Sequence, residues 1–443
     1  MIVNSYSLSV FCLWDILLVL ETCATQTECG AKAPNACEFL LQDSKQASWI
    51  WGHELEITYH DVSESYVKWA TSLGLVYRIK AALFQPDIVV IGDNFAAHHI
   101  LHNAYTTYGK SQGFLQLIRT LIGAGLGGIE GEDHKYQRRL LAPAFTAEAV
   151  EAMSDDIFFC VERMTQNLSS SLIDTSGTTV DIVPVISACT LDIIGRVGFG
   201  HDFEGGENKD AKAIRSAWHQ DVVMSQTFIG FLAPRLLNIF PVAGHESTAV
   251  TADFLLLQLA QTPSVQRKLQ QEIRTAASFD YKSIGEFEYL SAVVKEGLRL
   301  HPVGQPTQRI ARHDDVIPLG TAIRTGSGEM VSSLAVEAGQ VLQIPWAILN
   351  VNKQVWGDNA DKFIPERWIE PGGVPPVDKL PRGPWNGVSS FSDGPQSCIG
   401  YRVAVLELKI ILALLVRSFQ FDLTKAKIVQ SSMPLKVSLV LEL

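Results

Sequence analysis

The chain has 443 residues, and 36 lysines and arginines against 47 aspartates and glutamates give a formal net charge of −11. With no long basic run, that balance argues against nucleic acid as a partner, while 47% hydrophobic residues are ample for a large core. The seven cysteines, at 12, 23, 29, 37, 160, 189 and 398, show neither paired zinc spacing nor a disulfide framework.

At the start of the chain, Leu8 to Leu20 is apolar apart from Ser9 and Asp15. This run is shorter than the ~20 residues that span a bilayer. Asp15 is costly at bilayer depth, and no basic stretch marks a secretory signal. Tyr66 to Gly74 reads as a helix. Val76 to Leu83 and Asp87 to Gly92 read as paired strands around a Gln85-Pro86 turn. From Phe95 to Thr275 the pattern is mostly helical, broken at Gly123 to Gly128, Gly177 and Gly205-Gly206. Within it, Glu130 to Arg139 opens a helix on which His134 and Arg138 lie about one turn apart. Ala243-Gly-His-Glu-Ser-Thr248 reads as an N-cap before an amphipathic helix. Pro241 sits two residues before Ala243. Proline suits the first turn of a helix and breaks its interior, so this helix is expected to begin late.

Further along, apolar residues at 287, 290, 293, 294 and 298 have helical spacing, and Pro302 ends that segment. Glu296 and Arg299 are three apart and share one face, which alone would be an ordinary surface ion pair of little worth. Trp346 to Phe421 holds a loop-rich stretch, a cysteine loop and a last long helix over Val403 to Leu415. Leu435 to Leu443 alternates as a strand. There are no repeats and no low-complexity linker. The length allows two ordinary domains or one large fold, and the pattern suits the latter, mainly α with small β-sheets to one side (α+β).

The cysteine loop is the most informative stretch. Phe391-Ser-Asp-Gly-Pro-Gln-Ser-Cys-Ile-Gly400 puts one cysteine after a Gly/Pro-punctuated turn, just before the last helix. Free backbone N–H groups and the positive end of the helix dipole favour its thiolate. A thiolate is the ligand a haem iron needs to activate dioxygen. A lone buried cysteine is usually inert, but here Phe391, Gly394, Cys398 and Gly400 fall into one pattern at fixed spacing.

The decapeptide has the form F-x-x-G-x-x-x-C-x-G and resembles the haem-binding loop of the cytochrome P450 haem-thiolate monooxygenases. The other family landmarks occur upstream in the expected order, and the resemblance covers roughly Ala47 to the C-terminus. It implies the cytochrome P450 fold as a single large domain over 47–443, with haem b ligated through Cys398. It also implies a buried structural network of Glu296, Arg299 and Arg367, the last from Phe363-Ile-Pro-Glu-Arg-Trp368. His134 and Arg138, where the family often has Trp-x-x-x-Arg, and Arg309 correspond to contacts of the haem propionates. The family often has a basic residue two before the cysteine. Here Gln396 stands there, able to donate a hydrogen bond but uncharged. Ala243 to Thr248 resembles the oxygen-activating element of the distal helix. Glu246 would belong to the proton relay and Ser247 would replace the usual threonine, with Thr248 beside it. Serine keeps the hydroxyl but loses the methyl that limits its rotamers, so more uncoupling to peroxide is expected.

By the same resemblance, electrons would come from NADPH through cytochrome P450 reductase, docked near Lys135 and Arg139, and the substrate would be an apolar terpenoid, steroid-like or polycyclic aromatic molecule. A membrane-associated protein on the cytosolic face of the endoplasmic reticulum is expected. The segment 1–46 would be either a degraded membrane anchor or the product of a mis-joined coding sequence, because the usual Pro/Gly-rich hinge is missing. The chain also departs from the family between Phe231 and Ala243, where several dozen residues that roof the substrate pocket normally intervene. Two alternatives therefore stand beside the monooxygenase: a haem-binding protein without turnover, and a reductase-independent isomerase or peroxygenase. The acid–hydroxyl pair at 246 and 247 argues against the latter.

Overall fold

The computed structural model describes residues 62–81, 86–111, 124–172, 178–224, 239–303, 306–326, 328–423 and 438–442, with residues 47, 52–53, 56–57, 115 and 119 besides; of these, the side chains of 62–63, 178, 217–224, 239–243 and 438–442 are not described. The N-terminal segment 1–46, the break at Gly177 and residues 232–238 of the shortened stretch lie outside the described residues.

Helix α1 (Val62–Leu73) leads into β1 (Val76–Ile79) and β2 (Ile88–Ile91). These strands pair antiparallel, Val76 opposite Ile91, and are shorter than the alternation in the sequence suggests. Asp93 caps α2 (Asn94–His98), its carboxylate accepting from the Phe95 and Ala96 amides, and α2 runs into a π-helical turn at His99–Asn103. The two-residue β3 (Tyr108–Gly109) follows. Next come α3 (Gly131–Leu141), α4 (Ser154–Leu172), β4 (Thr178–Asp181), α5 (Val183–Phe199), α6 (Lys209–Met224) and α7 (Ile239–Gln261). Pro241 lies in the first turn of α7, where its missing N–H costs nothing.

The C-terminal half holds α8 (Pro263–Arg274) and α9 (Glu288–Leu300), then β5 (Thr307–Ala311), β6 (Asp315–Arg324), β7 (Met330–Val336) and β8 (Val341–Ile344). It closes with α10 (Trp346–Val351), a long irregular stretch, α11 (Tyr401–Ser418), β9 (Gln420–Leu423) and β10 (Ser438–Glu442).

The fold is mainly helical, and the described residues form three small sheets, ordered β1-β2-β8-β5-β3, β4-β10-β9 and β6-β7. In the first, β2 and β8 are parallel, Ile88 opposite Val341, so the sheet joins two distant parts of the chain. The main core is helical: apolar faces of α4, α5, α7, α8, α9 and α11 meet in one cluster that includes Ile157, Ile186, Leu255, Leu269, Val293 and Ile411, all fully buried. At ~25 cal/mol per Å² of apolar surface removed from water, such a cluster dominates the folding free energy. Helix α11 is buried almost all round and α7 is apolar on several faces, as expected of central helices. Among the described residues no helix is long and apolar enough to cross a membrane.

Candidate active site

The cysteine loop is shaped by its own backbone. Asp393 accepts from the Gly394 amide (2.6 Å) and starts a 3₁₀ turn at Gly394–Gln396. The Ser397 amide then donates to the Gly394 carbonyl (3.0 Å), and the Cys398 amide to the Phe391 carbonyl (2.9 Å). Gly394 has φ +70°, and a Cβ there would lie 2.0 Å from the Leu101 carbonyl oxygen, so glycine is required twice over. Gly400 is the N-cap of α11, which places Cys398 beside that helix N-terminus. Phe391 is buried between Trp385 and Tyr401, with ring centroids 6.4 and 6.0 Å away.

Cys398 retains accessible surface although protein crowds it on most sides. Loss of water around it pushes its thiol up. The Gly400 amide and the Arg138 guanidinium pull the other way without prevailing. The local features that favour a thiolate are therefore present, and desolvation outweighs them for the bare thiol; a cationic metal reverses that balance by displacing the proton.

Arg138, on α3, donates to the Ser397 carbonyl (2.7 Å) and to its hydroxyl (3.5 Å), so α3 grips the loop one residue from the cysteine. Arg309, on β5, donates to Thr307, to the Gln308 carbonyl and to Gln396 Oε1 (3.3 Å). Gln396 thus accepts from Arg309 and keeps its amide N–H groups for other partners. Desolvation lowers Arg309 to about 10. His134 is buried, and its pKa is lowered first by desolvation and then by Lys110 and Arg138. Lys110 completes the group: desolvation and then Arg309 lower it to about 8, against Glu130. No local pattern around Lys110 marks it in the sequence, because β3 brings it to β5 only in the fold.

Desolvation lowers all four basic groups, and neighbouring cations add to this at Lys110 (Arg309) and His134 (Lys110 and Arg138). The carboxylate among them, Glu130, is already engaged by the Lys110 amide (2.8 Å) and by Arg312 (2.6 Å). A crowded, under-neutralised basic cluster beside a cysteine suits a flat group carrying two carboxylates and a thiolate-seeking metal, which describes haem.

On α7 the side chains diverge. Ser247 is exposed, whereas Thr248 is buried and its hydroxyl donates to the Gly244 carbonyl (3.4 Å), on the side of the helix near Glu407 of α11. Burial raises the Glu407 carboxyl to about 8, so it is protonated near neutrality. Glu246 accepts from the Ser187 hydroxyl (3.1 Å) on α5 and lies 2.8 Å from His245 Nε2. Burial would raise its carboxyl, but hydrogen bonds from His245 and Ser187 hold it below the usual range, hence ionised. A Cβ on Gly244 would lie 2.9 Å from Ile194, so this glycine lets α7 approach α5 closely.

Glu296 is fully buried. It accepts from Arg299 Nε and Nη2 (both 2.9 Å), Arg367 Nε (2.9 Å), Trp368 Nε1 (2.9 Å) and the Ile364 amide (3.0 Å). Arg299 also donates to the carbonyls of Asn350 and Ala360, and Arg367 to that of Asn359. Trp356 lies against both guanidinium groups, at 4.9 and 5.7 Å. The three residues therefore tie α9 to the irregular stretch leading to the cysteine loop.

The sequence matches the cytochrome P450 family model over residues 43–242 and 232–442, and the chain belongs to that family. It is 28% identical to cytochrome P450 monooxygenase claP of Ampulloclitocybe clavipes, with 82% of each chain covered. It is 27% identical to claO of the same fungus, with 83% of each covered, and 27% identical to cytochrome P450 monooxygenase 205 of Postia placenta, with 85% of each covered. Members of this family are oxidoreductases that incorporate oxygen from O2, with a haem whose iron a cysteine ligates, a redox partner and a small-molecule substrate.

Proposed function

We propose that the chain is a monooxygenase that inserts one oxygen atom into an apolar terpenoid, steroid-like or polycyclic aromatic molecule, with NADPH electrons delivered by a separate cytochrome P450 reductase. The observation that carries this reading is the cysteine loop, gripped through Ser397 by Arg138 and flanked by the basic cluster of Lys110, His134, Arg138 and Arg309. The haem, when bound, supplies the oxygen-activating chemistry. Cys398 would be its ligand, with Phe391 and Gly400 shaping the approach. His134, Arg138, Arg309 and Gln396, together with Lys110, would orient its propionates. Ionised Glu246 accepts and returns protons, while the Ser247 hydroxyl orients oxygen by a hydrogen bond. Glu296, Arg299 and Arg367 take no part in chemistry and hold the stretch before the cysteine. On this reading the protein would act in secondary metabolism, at the cytosolic face of the endoplasmic reticulum membrane.

A second reading has support of its own. The alignment with claP runs over 451 positions yet covers only 82% of this 443-residue chain, so several dozen of its positions have no residue here. The family match also falls in two pieces that meet at 232–242. A protein without its pocket roof would bind haem and consume NADPH without oxygenating a substrate, because water near the iron promotes side reactions. Incubation with reductase, NADPH and a panel of apolar compounds separates the two. A product heavier by one oxygen atom supports the monooxygenase, and peroxide alone across the panel supports the impaired protein.

A further inference from the structure

The cysteine loop has a second anchor, at Asp393 rather than at Ser397, where Arg138 holds it. Asp393, five residues before Cys398, uses one carboxylate oxygen to start the turn at Gly394. Its other oxygen lies 2.5 Å from His98 Nδ1, at the end of α2. Both side chains are mostly buried, 12% and 13% exposed. A carboxylate can only accept, so His98 Nδ1–H donates, in a charge-assisted bond of the stronger kind. One turn on, Leu101 presses its carbonyl against Gly394, and the ring of His102 stacks on that of His98 at 4.7 Å. The π-helical turn at His99–Asn103 sets this register, and such turns are frequent at functional sites.

We propose that His98 is a positioning residue for the cysteine ligand: through Asp393 it clamps the turn carrying Cys398 onto α2, as Arg138 does from α3. This rests on Cys398 as the haem ligand. The next residue of the same segment supplies an internal comparison. His99 Nε2 bonds Asp315 on β6 (2.8 Å), which also accepts from the Tyr108 hydroxyl (2.7 Å). That pair anchors the same segment to the sheet and does not touch the loop.

The test follows the ferrous–CO spectrum of the holoprotein in mild denaturant and records the rate at which the red-shifted, thiolate-ligated Soret band converts to that of a neutral ligand. His98→Ala and Asp393→Asn should accelerate conversion about tenfold, the equivalent of ~1.4 kcal/mol. His98→Asn, whose amide can donate from nearly the place of Nδ1, should restore most of the lifetime. His99→Ala should leave the conversion rate within twofold while lowering the thermal midpoint as much as His98→Ala does. Equal acceleration by His99→Ala and His98→Ala, or no acceleration by His98→Ala, would overturn the proposal. A wild-type holoprotein without the red-shifted band would remove Cys398 as the ligand, and the role of His98 with it.

Discussion

Replacing Glu296 with glutamine tests how the scaffold holds the cysteine loop. The carboxylate accepts five hydrogen bonds, from two guanidinium groups, an indole and a backbone amide. Glutamine keeps one acceptor oxygen and turns an NH2 donor toward a guanidinium or the Trp368 indole. Arg299 is fully buried and Arg367 is 7% exposed, so both charges would remain with little compensation. Breaking a buried pair in this way costs ~3–5 kcal/mol, and each orphaned N–H adds about 1–3 kcal/mol where it cannot relax. Even the lower figure is a large share of the 5–15 kcal/mol typical of a folded domain. Urea unfolding of the holoprotein, read by tryptophan fluorescence, and haem content per chain after purification would measure it. Loss of at least ~3 kcal/mol with poor haem retention is expected. A variant within ~1 kcal/mol of wild type, with full haem content, would refute the reasoning and return the pair to the class of weak surface bridges.

Gly394→Ala should strain the turn and push the Leu101 carbonyl away, reducing thiolate-ligated protein several-fold in the ferrous–CO spectrum. Glu407→Gln addresses pH. The folded carboxyl titrates at about 8 against ~4.5 unfolded, so the unfolded state releases its proton first and stability falls as pH rises from about 4.5 to 8. The variant should be more stable at pH 7.5, on the order of 4 kcal/mol, and nearly unchanged at pH 4.5, as thermal midpoints at the two pH values would show. Ser247→Thr should lower peroxide formed per NADPH consumed, because the added methyl restricts the hydroxyl to fewer rotamers; the peroxide-to-NADPH ratio with reductase reads this directly.

The segments that were legible in the sequence are those whose signal is local. The spacing of Leu290, Val293, Val294 and Leu298 marks α9, and the apolar run after Gly400 marks α11. Family resemblance rather than periodicity pointed to Arg367, whose place beside Glu296 depends on the irregular stretch folding back onto α9. What stayed hidden depends on contacts distant in sequence. Lys110 joins the basic cluster only because β3 pairs with β5, and Ser187 reaches Glu246 only because α5 packs on α7. The Cys398 thiol shows this most clearly: an N-terminal helix position and a neighbouring amide favour the thiolate, but desolvation by atoms crowded around an otherwise exposed residue, which no short window reveals, weighs more. His98 likewise looks like a solvated residue at a helix end until the fold brings Asp393 to it.

The most direct test of the account is the CO difference spectrum of the reduced protein, produced with haem supplied, beside that of Cys398→Ala. If Cys398 ligates the haem iron, the wild type shows a strongly red-shifted Soret band that is absent from the variant. A band at the position of a neutral ligand in both, or no haem in either, would contradict it.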